Sequence, residues 1–176
     1  ESNVYTLGYK DKEYGLTINA GVIDVSSSWY ISTASSPSGG TGRISDTPNR
    51  RWNLDLQKEL QLNPADRMVI GVNYRNDWIH NQENKLSNWR DYNSTTGIYS
   101  QAEGRSRTIA FFVQDEHKIN DKLSVTAGGR YDSWTNYAGM NQDNSVAVSA
   151  PTYYPERSDS AFSPKIALQY RLDETS

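Results

Sequence analysis

The chain contains no cysteine, which rules out a disulfide framework and thiolate metal sites. It has no run of about eighteen apolar residues, so no transmembrane helix is encoded. That absence says nothing of strands, because a membrane barrel strand needs only about ten residues of alternating pattern. Lys and Arg are dispersed, and 18 basic residues against 21 acidic leave a net charge of −3. This removes the electrostatic footprint of a nucleic-acid partner. Apolar residues are scarce, at 35% of 176 positions, although the length has room for one domain with a sizeable core. Histidine occurs twice, at His80 and His117. Neither belongs to a metal-binding spacing such as H-E-x-x-H, and both read as strand or surface residues. No leader pattern precedes the first strand-like run, which begins at Asn3,. The chain opens and closes in mid-pattern, so residues 1–176 read as one partial domain of a larger sheet.

What is present is amphipathic aromatic character and alternation. Twelve Tyr and five Trp stand against three Phe, the ring types favoured where one end is dry and the other wet. From Arg51 to Leu62 the apolar set Trp52, Leu54, Leu56, Leu60 and Leu62 alternates with Asn53, Asp55, Gln57, Glu59 and Gln61. Met68, Ile70, Val72 and Tyr74 alternate with Gly71, Asn73 and Arg75. Ile109, Phe111 and Val113 oppose Thr108, Ala110 and Gln114, with Phe112 out of character. Leu123, Val125, Ala127, Gly129 and Tyr131 form one face of the next run. Pro164, Ile166, Leu168, Tyr170 and Leu172 form one face of the last. Two weaker segments, Asn3–Lys10 and Tyr14–Tyr30, precede these. Period-2 alternation filled with β-branched and aromatic residues predicts an all-β, antiparallel up-and-down meander of about seven strands.

The connections alternate too. Short ones at Asp11-Lys12-Glu13, Asn63-Pro64-Ala65-Asp66, Asn120-Asp121-Lys122 and from Asp173-Glu174 take turns with long polar excursions. Those run roughly from Ser32 to Asn49, His80 to Gly104 and Thr135 to Ser160. Short turns at one end and long loops at the other are the pattern of bacterial outer-membrane barrels. Trp52, Tyr74, Trp78, Tyr131, Trp134 and Tyr170 lie on or just beyond the apolar register, as an interfacial girdle requires. Lys58 is the exception, a cation in the apolar register between Leu56 and Leu60; its closeness to the Asn63 turn lets it snorkel. The same alternation fits a secreted sandwich that binds carbohydrate or another ligand by stacking on Trp and Tyr.

No catalytic constellation forms. Asp115 and Glu116 are adjacent and point to opposite faces of a strand, so they are not the facing pair of a glycosidase. Ser38-Gly39-Gly40-Thr41-Gly42-Arg43 lacks the G-K-[ST] ending of a phosphate loop. Asn93-Ser94-Thr95 is a chance sequon, and Asp121 and Asp143 have no EF-hand spacing. The reading is not an enzyme, with no cofactor and no metal. The candidate ligand-binding residues are Trp89, Arg90, Tyr92 and Tyr99 in the second long excursion and Tyr153, Tyr154 and Arg157 in the third. Aromatics with arginine stack on and charge-pair with ligands; the competing reading is that they brace loop against loop.

Two stretches resemble a known family. Phe111-Phe112-Val113-Gln114-Asp115-Glu116, the turn Asn120-Asp121-Lys122 and Leu123-Ser124-Val125-Thr126-Ala127-Gly128-Gly129-Arg130-Tyr131-Asp132 are similar to a barrel hairpin of TonB-dependent outer-membrane receptors. Phe162-Ser163-Pro164-Lys165-Ile166-Ala167-Leu168-Gln169-Tyr170 is similar to the strand that follows it there. The resemblance covers about residues 105–176 strictly and the earlier part in style. It implies part of a transmembrane β-barrel in the bacterial outer membrane, without the plug domain and the remaining strands. The parent protein then takes up a scarce ligand such as a ferric siderophore, haem or cobalamin, partnered by the TonB complex and surrounded by outer-membrane lipid. An isolated piece of this kind, with two open edges, is expected to self-associate.

Overall fold

In the computed structural model the structure describes residues 1–33 and 37–172; the turn expected from Asp173 lies outside them. Seven long strands form one antiparallel sheet in chain order: β1 (Ser2–Asp11), β2 (Leu16–Val25), β5 (Asn49–Gln61), β6 (Asp66–Leu86), β7 (Thr95–Lys118), β8 (Leu123–Asp143) and β10 (Arg157–Tyr170). Three short strands complete it. The pair β3 (Ser28–Ser32) and β4 (Gly42–Asp46) joins through β4 to β6, and β9 (Thr152–Tyr154) pairs with β8. The expected meander of about seven strands is therefore the main sheet.

The three short turns share one device. Asp11 accepts hydrogen bonds from the amides of Glu13 and Tyr14, both at 2.9 Å. Asn63 accepts from Ala65 and Asp66 at 2.8 and 3.0 Å. Asn120 accepts from Lys122 and Leu123 at 2.9 and 3.0 Å. An Asx side chain that mimics a backbone turn is why these residues open tight connections. Asn63→Ala and Asn120→Ala each remove one side-chain oxygen that accepts two hydrogen bonds and are expected to cost about 1 kcal/mol,. Urea midpoints of the full-length protein refolded in vesicles check this, and Asn→Asp variants should be close to neutral.

At the other end the structure corrects the expectation of long loops. The span from His80 to Gly104 is mostly paired strand: β6 runs to Leu86, β7 starts at Thr95, and only a short tip with a 3-10 turn (Tyr92–Ser94) intervenes. The span from Ser32 to Asn49 contains β4 and the start of β5, and that from Thr135 to Ser160 contains the end of β8, β9 and the start of β10. The expected Tyr14–Tyr30 strand is broken in two, β2 and β3, at Ser26-Ser27. The facing break between β4 and β5 falls at Thr47-Pro48, where proline has no N–H to give the ladder; its carbonyl accepts from His80 at 3.0 Å instead. β7, at 24 residues, extends roughly 80 Å, far more than a hydrocarbon core of about 30 Å. Bulges at Glu83/Asn84, Lys85/Leu86 and Glu103/Arg105 bend these projecting hairpins,. Ala138, at φ 51°, sits across from the last of them.

Register sorts the side chains of the main sheet. One row across it reads Tyr9, Ile18, Leu56, Val72, Phe111, Tyr131 and Phe162; the next reads Leu7, Ala20, Leu54, Tyr74 and Ile109. These residues form a continuous apolar band, yet Leu7 is 68% exposed, Phe111 52% and Ile166 79%. The buried apolar residues among those described are Ile44, Leu86, Ala110 and Met140, mostly in the hairpin extensions. No second sheet packs on the band among the described residues, so this is not a sandwich core. The Lys58 ammonium donates to the carbonyl of Tyr14 in the first short turn, which resolves its place in the apolar register. Trp134 departs from the expected girdle: it pairs with Thr108 and Asp159 on the polar face.

Candidate functional site

The opposite face of the sheet is polar and internally bonded. Asp55, Asn73, Ala110 and Asp132 share a row. Asn73 donates to Asp55 at 2.6 Å, and Arg130 donates to both oxygens of Asp132 at 3.0 and 2.9 Å and to the amide oxygen of Asn73. The Arg130 side chain thus crosses fully buried Ala110, a position where a larger residue would block it. Nearby, Lys165 donates to Gln114 at 2.8 Å and Arg67 pairs with Glu59 at 3.1 Å. Charge on this face is matched locally, which lets it line a passage without leaving bare ions.

Toward the long hairpins the matching ends. Arg51 and Arg75 both reach Asp77, each at 2.6 Å, so two guanidinium groups share one carboxylate. Arg157 faces the same space and has no ion pair among the described residues. Together with Ile23, Tyr154 and Asn136 these residues line a hollow of about 1030 Å³. A hollow of that size, with excess positive charge, aromatic surface and amide groups, has the chemistry to hold an organic anion.

The candidate residues named from the sequence fall in three places. Tyr154 and Arg157 line this hollow. Tyr99 lines a second one of about 430 Å³ with Thr33, Thr41, Arg43, Lys85 and Thr96. There the Arg43 guanidinium lies 4.1 Å over the Tyr99 ring and is also held by Glu83 at 2.8 Å. Trp89, Arg90 and Tyr92 occupy the tip between β6 and β7. Arg90 donates to the carbonyl of Pro37 at 2.7 Å, its guanidinium lies 5.8 Å from the Trp89 ring, and the Trp89 amide donates to Gly40 at 2.8 Å. These contacts tie one hairpin tip to its neighbour. Tyr153 is 74% exposed on β9. At the end of β8, the hydroxyl and amide of Ser145 hold the Asp143 carboxyl below its usual range. Arg51, Arg75 and Asp77 were not singled out in the sequence. The signal was there, since counting back from the Asn63 turn sets Arg51 opposite Asp77,.

Neither histidine joins a larger donor set: His80 stands 3.4 Å from Glu103 and His117 bonds Asp66, and no cluster able to hold a metal ion occurs among the described residues.

Comparison with known proteins follows this geometry. Among solved structures, the chain is similar to the ferric citrate transporter FecA in its unliganded form, with a TM-score of 0.69 and 13% identity. The match covers 98% of this chain and 25% of that one, so the chain spans about a quarter of its length, and the likeness is one of fold. No curated protein matches. The family model described as TonB dependent receptor-like, beta-barrel, matches residues 1–176. The exposed apolar band, the bonded polar face and that match agree: the chain belongs to the TonB-dependent receptor β-barrel family.

Proposed function

We propose that the chain is a stretch of the membrane-spanning wall of a TonB-dependent transporter in the outer membrane of a bacterium, and that the protein takes up a scarce anionic ligand such as a ferric chelate. The observation that carries this reading is the division of the sheet into two media. One face presents apolar side chains along the middle of the strands, from Leu123 to Tyr131 on β8 and from Phe162 to Tyr170 on β10 for example, close to the length a tilted barrel strand needs, with nothing among the described residues covering them. The other holds its charges in hydrogen-bonded groups, as a wet lumen requires. The sandwich alternative needs a second layer over the band and finds no support.

The anionic ligand is supported by the hollow lined by Arg51, Arg75 and Arg157 against the single carboxylate Asp77. It lies at the long-hairpin end, which is the outward end in barrels of this pattern. The ferric citrate transport of FecA supplies the type of ligand. Energy comes from the TonB complex, acting through parts of the protein outside this chain. The family match supports reading the protein as a carrier.

The test is uptake of radiolabelled ferric citrate by cells that make the full-length protein, with and without TonB. Saturable uptake that needs TonB is expected. Replacing Arg51 and Arg157 together by alanine should raise the half-saturation concentration about tenfold, roughly 0.7 kcal/mol for each exposed arginine. Uptake that persists without TonB, or that is indifferent to both arginines, overturns the reading.

A further inference from the structure

On the apolar side of the sheet, at its long-hairpin edge, the band ends in a patch of arginine and tryptophan. One row reads Arg50, Trp78 and Arg105; the row beneath reads Trp52, Asn76 and Arg107; beneath that begin Leu54, Tyr74 and Ile109. Arg105 and Arg107 are two apart on β7, so both side chains leave the same face, and both are exposed. The arginines of the polar face and the hairpins mostly have carboxylate partners: Arg43, Arg51, Arg67, Arg75 and Arg130 are paired with Glu83, Asp77, Glu59, Asp77 and Asp132. Arg105 and Arg107 have no ion pair among the described residues.

The acidic groups that face this patch are already engaged, Asp24 by the patch's own Arg50. Glu103, two residues before Arg105, stands 3.4 Å from His80. Asn76 donates to the Tyr137 hydroxyl at 3.0 Å, and Trp78 stacks on His80 with centroids 6.3 Å apart. The patch is therefore braced from its own side and leaves two guanidinium forks unspent. They stand where the apolar band stops, the level at which headgroups begin, with Trp52 and Trp78 beside them as interfacial aromatics. Guanidinium forks match phosphate oxygens bidentately, and cations at this depth attract anionic lipid.

We propose that Arg105 and Arg107, flanked by Trp52 and Trp78, form an external clamp for the phosphate of a lipid headgroup. The occupant is a membrane lipid and not a free anion, because the apolar rows directly beneath the clamp offer a surface for its acyl chains. The inference rests on the membrane-wall reading given above.

The experiment uses the full-length protein in detergent and in vesicles. Native mass spectrometry with added phosphatidic acid or phosphatidylcholine should show preferential retention of phosphatidic acid. Retention should fall roughly 30-fold in the Arg105→Ala/Arg107→Ala double variant, roughly fivefold for each surface cation. It should be unchanged in Arg67→Ala, on the polar face and away from the hollow, and should survive excess inorganic phosphate. Equal retention in the double variant, or displacement by inorganic phosphate, overturns the proposal. Brominated-lipid quenching of tryptophan fluorescence, read as the difference between Trp52→Phe and the parent, separates the two readings. Quenching of Trp52 without headgroup preference sinks the clamp alone, whereas a Trp52 beyond the reach of brominated lipid sinks the membrane-wall reading itself.

Discussion

Leu56→Arg is expected to lower the stability of the full-length protein refolded in lipid vesicles by about 2–4 kcal/mol, the cost of arginine near a bilayer midplane on the outer face of a barrel. Gln57→Arg, the very next residue, should change it by less than about 0.5 kcal/mol. The two positions share strand, backbone and helix-free surroundings. They differ in face: Leu56 stands between Ile18 and Val72 in the middle row of the apolar band, and Gln57 between Thr17 and Gly71 on the polar side. Two positions further along, Lys58 already shows how a cation escapes, by reaching the Tyr14 carbonyl in the turn. An arginine at 56 starts roughly 7 Å deeper and has only neighbouring apolar side chains within its first atoms' reach. Reversible urea titration of both variants reads the difference directly. Equal costs at 56 and 57 would mean that the two faces of the sheet see the same medium.

Much of this fold was legible because the two faces do see different media. Where one face is apolar and the other wet, alternation is forced, and β5, β8, β10 and the lower halves of β6 and β7 could be traced from it. The turns were legible for a separate reason, the Asx side chains of Asp11, Asn63 and Asn120 that close them. The projecting hairpins were not. There both faces are wet: Gln82 bonds Asn84 and Gln101 bonds Gln142, each at 3.0 Å, on one side, while Arg43 pairs with Glu83 on the other. With polar residues on both sides, strand looks like loop in composition, and the ladder that defines it leaves no mark on the sequence. The site suffered similarly. Tyr154 and Arg157 stood out as aromatic and cation in a polar stretch, but Arg51 and Asp77 meet only through register, and each alone is an ordinary charged strand residue. Trp134 shows the opposite failure: a tryptophan near a strand end has the composition of a girdle residue, yet its parity places it on the polar face.

Phe112 was the other residue out of pattern, and it carries the second large effect. It lies directly opposite Gly71 on the polar face. A Cβ at Gly71 would stand 2.3 Å from the end of the Phe112 ring and 2.8 Å from the Leu56 carbonyl oxygen. The ring thus lies over a glycine, the arrangement by which aromatic side chains shield bare backbone in curved sheets. Gly71→Ala is expected to cost about 1–3 kcal/mol, the usual penalty of forcing a methyl into occupied space. The ring can swing away but the carbonyl belongs to the backbone of β5, so the cost has two separable parts. In a Phe112→Leu background the ring's share disappears and the carbonyl's share remains. A double-mutant cycle on vesicle-refolded protein should therefore show the Gly71→Ala cost reduced but not abolished, with a coupling of at least about 0.5 kcal/mol. No coupling would show that the Phe112 ring does not occupy the space over Gly71. Complete loss of the cost would show that β5 yields there, leaving Asp55 and Asn73, next along the same two strands, on a wall less rigid than their bonding to Arg130 requires.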